Sequence, residues 1–433
     1  MNKRILLLAA GLLAAATAAP TAASADVPAA ADEVYLAAGL RGANEVGVKG
    51  DGDGRSTTVL RIKGNEVAFA IRWNKVDAPT AAHIHLGAKG KNGDVKIDLI
   101  RQALPKTVLG VRGTVTVQDR ALLDALVKDP GSFYANLHNA AFPKGAVRGQ
   151  FHRLSRPVDL GGVLHGSNQA TLRSKADGAQ EVQADDGKKR GDADGSATWW
   201  LRPNGAALAY TATWSGVGAP TNGHIHKGVK GKNGDVVADL FFEAKGLQAN
   251  LTGVAGEAPV KRAVVRRIAA APGNYYSNLH TVDFNGGAVR GQLSGKGFGH
   301  PKAATAEVLR GAQIYACTKQ PGGGFAFTQL GVTAKLRRGI DHSFVTPAAG
   351  PPQWIAPDGS AVRGKAVTKI PNGEKNIPEL VLDATQSGTG GGLLAGSTQI
   401  LRLNTEGGVA PKGSCKAGSQ ARVPYGADYL FLG

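Results

Sequence analysis

The chain has 433 residues, with 61 glycines, one methionine, two cysteines and a formal net charge of +18. That length exceeds one compact core and suits about two to four domains, and the ordinary apolar content excludes a disordered or collagen-like chain. A basic balance attracts polyanions such as teichoic acid, nucleic acid or anionic lipid heads. However, the charge is spread without long blocks, and no RNA-recognition, zinc-finger or helix-turn-helix pattern occurs, so specific nucleic-acid binding is not expected.

Residues 1–25 read as a secretory signal. Lys3 and Arg4 form its charged start, residues 5–16 its apolar stretch, and Ala23-Ser24-Ala25 its small-residue cleavage site. The apolar run is too short to span a membrane, and no later segment is long enough. The mature chain is therefore expected to be exported, without a transmembrane segment and two charges less basic. In an oxidising compartment the even pair Cys317 and Cys415 implies one disulfide. It would close a 98-residue loop, for which chain entropy gives roughly 4–5 kcal/mol. Two buried free thiols are the alternative.

Residues 33–154 and 170–295 are one pattern written twice, joined by a polar, glycine-bearing linker at 155–169. Glu45-Val46 returns as Glu181-Val182, and Trp73 as Trp214. His83-Ile84-His85 returns as His224-Ile225-His226, Asn136-Leu137-His138 as Asn278-Leu279-His280, and Val147-Arg148-Gly149-Gln150 as Val289-Arg290-Gly291-Gln292. Residues 57–63 and 67–73 read as strands joined by the hairpin signal Gly64-Asn65. Their counterparts are 197–202 and 207–214. Asn92-Gly93 and Asn233-Gly234 precede further strands at 95–100 and 236–241. Helical spacing occurs once per copy, at 121–127 and 263–269, stopped by Pro130-Gly131 and Pro272-Gly273. Many short strands with one small helix predict an antiparallel β-sandwich or barrel in each copy.

The run Glu-Val, His-Ile-His-x-Gly-x-x-Gly-x-x-Gly, Tyr-x-Asn-Leu-His, Gly-x-Val-Arg-Gly-Gln resembles the CHRD domain, named for chordin and found also in secreted bacterial proteins. The resemblance covers roughly residues 33–295. The family often has proline after Glu-Val, where this chain has Gly47 and Gln183. The likeness implies an extracellular β-rich module and supplies no activity.

Side chains two apart on a strand share a face, so His83 and His85 point one way, as do His224 and His226. If the fold brings His138 or His280 alongside, each copy owns a three-histidine metal site, best suited to zinc or copper. Cu/Zn superoxide dismutases also place His-x-His on a sandwich strand, an analogy of architecture alone. The competing reading is a set of hydrogen-bonded histidines that position the glycine loop. Trp73 and Trp214 read as core. Glu45 with Arg148, and Glu181 with Arg290, are expected as structural ion pairs. The lysine-bearing glycine loops at 87–94 and 228–235 read as tight turns; they lack a nucleotide P-loop's ending.

After a connection at 296–303 the vocabulary changes. Short β-rich runs between glycine and proline turns predict a third β-rich domain over 304–433. It resembles a family of unknown function from secreted proteins, and both cysteines fall on positions which that family pattern places, which strengthens the disulfide. No Gly-x-Ser-x-Gly elbow occurs, and Asp341-His342-Ser343 reads as a polar loop. The expectation is a secreted, multidomain, non-enzymatic binding protein, with an extracellular protein or an anionic cell-envelope polymer as partner. A copper or zinc metalloprotein with redox or hydrolytic activity is the alternative.

Overall fold

Runs rich in β-branched and apolar residues, buried over most of their length, make Arg55–Lys63 and Glu66–Asn74 the first hairpin, turned at Gly64 with φ +56°. The structure is a computed structural model that describes residues 33–167, 170–295, 303–348 and 350–433. The signal-segment expectation lies outside these residues. The first repeat contains β1 (Val34–Arg41), β2 (Arg55–Lys63), β3 (Glu66–Asn74), β4 (Pro79–Leu86), β5 (Val95–Ile100), β6 (Val108–Thr116), α1 (Arg120–Lys128), β7 (Phe133–Asn139), β8 (Val147–Gln150) and the short β9 (His152–Arg153). Antiparallel pairing runs β6-β3-β2-β1-β8-β7-β4-β5. The strands close around one apolar interior that includes Leu36, Leu60, Phe69, Trp73, Ile84 and Leu137. Helix α1 is capped by Asp119, whose side chain accepts from the Leu122 N–H at 3.0 Å, and it buries Leu123 and Leu126.

The connection to the second repeat is packed, although its composition reads as a free linker. It forms α2 (Leu160–His165), whose Val163 and Leu164 are buried. Arg72 donates to the Leu164 carbonyl at 2.8 Å. The second repeat follows with β10 (Leu172–Asp177), β11 (Ser196–Asn204), β12 (Ala207–Ser215), β13 (Pro220–Lys227), β14 (Val236–Phe242), β15 (Leu251–Pro259), α3 (Arg262–Ala270), β16 (Tyr275–Thr281) and β17 (Val289–Gln292). Its pairing repeats that of the first, β15-β12-β11-β10-β17-β16-β13-β14.

The two repeats do not swing independently. β6 pairs antiparallel with β15, so their hydrogen bonding is continuous. Glycine makes this approach feasible. A Cβ on Gly113 would lie 2.5 Å from the Asn250 carbonyl oxygen, and one on Gly256 would lie 2.0 Å from that of Thr107. Leu164 of α2 packs beneath the seam, within 2.9 Å of where a Gly253 Cβ would sit.

The C-terminal part is a closed eight-stranded meander of β18 (Ala303–Lys319), β19 (Phe325–Leu336), β20 (Asp341–Phe344), β21 (Pro352–Ile355), β22 (Ala361–Ile370), β23 (Glu379–Gln386), β24 (Gln399–Gly407) and β25 (Gln420–Leu432). The long β18 closes it by pairing with both β19 and β25. Asp341-His342-Ser343 is strand β20, not the polar loop expected, because His342 is 3% exposed and stacks on Trp354. Cys317 and Cys415 form the expected disulfide, with Cα atoms 5.8 Å apart. The barrel docks on the first repeat through an apolar patch that includes Ala37, Val59, Leu154, Leu401, Leu403 and Leu430. Polar contacts surround that patch: Arg41 to Asp428 and Glu406, His152 to Glu379 at 3.3 Å, and Arg156 to Asp383 at 3.0 Å.

Candidate metal centres

β4 and β7 lie side by side in a register that sets Ala81 opposite His138, His83 opposite Asn136 and His85 opposite Tyr134. His138 is thus a diagonal neighbour of His83 on the same face. Ile84 and Leu137, which alternate with the histidines, are fully buried in the core. Ring centroids are 5.0 Å apart for His83 and His138, 5.7 Å for His83 and His85, and 6.3 Å for His85 and His138. In the second repeat the corresponding separations are 4.9, 5.6 and 6.2 Å for His224, His226 and His280. In each trio one nitrogen per ring lies within 4.8 Å of the other two.

The outer nitrogens decide what the inner ones offer. His85 Nδ1 faces the Gly93 carbonyl at 3.0 Å, and His138 Nδ1 faces that of Pro143 at 3.1 Å. A carbonyl only accepts, so each Nδ1 carries the proton and each Nε2 keeps its lone pair. His83 is reversed, its Nε2 lying 3.4 Å from an Asp98 carboxylate oxygen, which leaves Nδ1 as the free atom. Those three nitrogens, His83 Nδ1, His85 Nε2 and His138 Nε2, are buried without a hydrogen-bond partner. The second copy repeats the scheme. His226 Nδ1 meets the Gly234 carbonyl at 2.9 Å, His280 Nδ1 that of Asn285 at 3.2 Å, and His224 Nε2 lies 3.3 Å from Asp239. His224 Nδ1 and His280 Nε2 then face each other at 3.3 Å with no proton assigned between them. Burial pushes all six imidazoles below their usual range, to about 4 for His83 and His224 and about 3 for His280. At neutral pH they are uncharged, the form that ligates a metal.

Asp98 and Asp239 were not singled out from sequence. The available signal was a lone acid inside the apolar run after each glycine loop, in the same place in both copies. A register shift between Ala82 and His83 sets Asp98 directly across from His83, and β13 and β14 share this irregularity.

Behind the histidines lies a stack. His85 packs flat on Tyr134 at 4.6 Å, and the Arg148 guanidinium lies 3.4 Å from the centroid of the same ring. In each expected ion pair burial raises the glutamate pKa, and the arginine, Arg148 for Glu45 and Arg290 for Glu181, draws it part of the way down through space, without a direct hydrogen bond. Arg148 spends its donors on the carbonyls of Ala88 (3.2 Å) and Lys91 (2.6 Å) and on Asn92 Oδ1 (3.0 Å). Glu45 instead accepts from Asn136 at 3.4 Å. Arg290 does the same with Val229, Lys232 and Asn233, over Tyr276. Among the described residues neither glutamate bonds directly to its arginine. The guanidinium plane is filled by loop carbonyls, which explains why the glycine loop and the Val-Arg-Gly-Gln run travel together. Burial pushes Glu45 and Glu181 up to about 7. The two glycine loops also differ in use. Lys89 reaches Asn372 and Glu379 of the barrel, whereas Lys230 and Lys232 are exposed.

The CHRD domain model matches residues 36–151 and 172–293, and the model of a protein of unknown function (DUF3455) matches residues 333–433. No curated protein matches the chain. The histidine trios, their aspartates and the arginine-held loops all lie within the two CHRD matches. With more than half of its 433 residues in two copies of that domain, the chain belongs to the CHRD domain family.

Proposed function

We propose that this is an exported binding protein in which each CHRD module holds one transition-metal ion, Zn(II) or Cu(II), through three imidazoles. The observation that carries the proposal is the set of three converging ring nitrogens, repeated in both modules, with every outer nitrogen engaged by a carbonyl or carboxylate. That outer partner fixes tautomer and ring orientation, as it does for metal-bound histidines in general. A three-nitrogen set leaves a further position for water or a partner's donor group. The paired cysteines support an oxidising location, and the +18 charge supports retention at an anionic envelope polymer.

Metal analysis of the purified full chain after loading and desalting tests the reading. Two ions per chain are expected, one after His83→Ala, and none after His83→Ala with His224→Ala. A stoichiometry near zero in the folded wild type eliminates it. Retention on isolated cell wall that falls with added salt is the expected result for the envelope partner.

A further inference from the structure

The C-terminal barrel is filled at one end and hollow at the other. Leu336, Val362, Ile400 and Phe431 pack its closed half. The other half encloses a cavity of about 330 Å³ to which all eight strands contribute side chains. The contributions come as residues two apart, Gln313 with Tyr315, His342 with Phe344 and Leu380 with Leu382, so this space is the barrel's own lumen and not a surface crease. Its size falls in the range of small-molecule sites, and barrel mouths are one of the places where these occur.

The lining is unbalanced. Among the described residues it holds two cations, Arg402 and Lys369, and no carboxylate. Three buried N–H groups there lack acceptors: Gln313 Nε2, Trp354 Nε1 and Arg402 Nε. Gln313 and Trp354 are each 1% exposed. Neither Gln313 nor Arg402 is free to turn its group elsewhere. The Gln313 carbonyl oxygen accepts from Gln329 at 2.7 Å, and Arg402 Nη2 is held by the Pro378 carbonyl at 2.8 Å. Buried donors left unmade are costly and rare in native proteins. The walls between them are apolar and aromatic, with the Trp354 indole flat on His342 at 4.3 Å and Tyr429 against its edge.

We propose that the barrel lumen is a binding site for a small apolar carboxylate, its anionic head held by Arg402 with the Gln313 and Trp354 N–H groups and its body against Trp354, Tyr429 and Leu382. The disulfide stands at the same end: Cys317 lies two residues beyond the lumen residue Tyr315 and ties β18 to the loop before β25. This site does not depend on the histidine trios.

Calorimetric titration of the chelator-stripped full chain with 3-phenylpropanoate and with octanoate, each compared with its neutral amide, tests the assignment. At least one carboxylate is expected to bind saturably, once per chain, with its amide weaker by about tenfold or more. Arg402→Gln should weaken the acid by a similar factor, while a change at the exposed Lys245, Lys245→Gln, leaves it unaltered. The assignment is overturned if neither carboxylate binds, if acid and amide bind alike, or if Arg402→Gln binds as the wild type does. Should Arg402→Gln not fold, the acid–amide comparison on the wild type decides.

Discussion

At the residue scale, each CHRD module buries more imidazole than carboxylate, and the two act on stability in opposite directions. A histidine whose folded pKa is depressed leaves the unfolded chain holding more protons between that value and about 6.5. Its contribution is complete above about 6.5 and is lost as pH falls toward about 4 for His83 and His224 and about 3 for His280. Glu45 and Glu181, raised to about 7, hold protons that the unfolded chain has released, so their contribution is lost as pH rises through about 7. Six histidines outweigh two glutamates across the shared window. The metal-free protein should therefore gain stability from about pH 4 to 6.5 and level off above about 7, measured by urea midpoints at each pH. Glu45→Gln with Glu181→Gln should steepen the rise between about pH 4.5 and 7, where the two raised carboxyls oppose the histidines. The paired histidines were legible from strand alternation and repetition alone, whereas their third partner was only a candidate until strand register placed it. The role of Arg148 was not, because a recurrent acid and a recurrent base invite pairing until the loop carbonyls are seen to occupy the guanidinium.

At the element scale, the β6–β15 seam turns two copies of one domain into a single body. The seam runs past Gly113, where a side chain would meet the Asn250 carbonyl oxygen and the Phe69 ring. Gly113→Val is expected to cost about 1–3 kcal/mol, the usual range for overpacking, and to lower the melting temperature accordingly. Gly52→Ala is the control: nothing lies within 4 Å of a Cβ there, and it should change stability by less than about 0.5 kcal/mol. The hairpins and helices α1 and α3 were legible within a few residues, since local periodicity and turn chemistry specify them, whereas α2 lay in a stretch that reads as a linker. The seam was not, because an edge strand that pairs with a copy of itself has the same alternation as one that faces water.

At the scale of the whole molecule, the barrel is held to the first repeat by Arg41. Its side chain is 10% exposed and reaches both Asp428 and Glu406. Arg41→Ala leaves Asp428 half-buried beside an apolar patch. Breaking a buried pair by removing one partner costs about 3–5 kcal/mol, discounted here for the exposure of Glu406. Scanning calorimetry should show one unfolding transition in the wild type and two in Arg41→Ala, the barrel separating from the paired repeats. The same docking explains the unequal glycine loops: Lys89 belongs to this interface, while Lys230 and Lys232 stay exposed.

The sequence by itself determined that two modules of one kind precede a third β-rich region, that His-Ile-His presents both imidazoles on one face, and that Cys317 and Cys415 had one partner each to choose. These are consequences of period, repetition and count, which a linear chain carries in full. Only the tertiary structure decided that His138 and His280 complete the trios, that aspartates and carbonyls turn the ring nitrogens inward, and that the C-terminal strands close around a hollow lumen. Those facts depend on strand register and on barrel closure, and both are set by contacts between residues 47 or more positions apart.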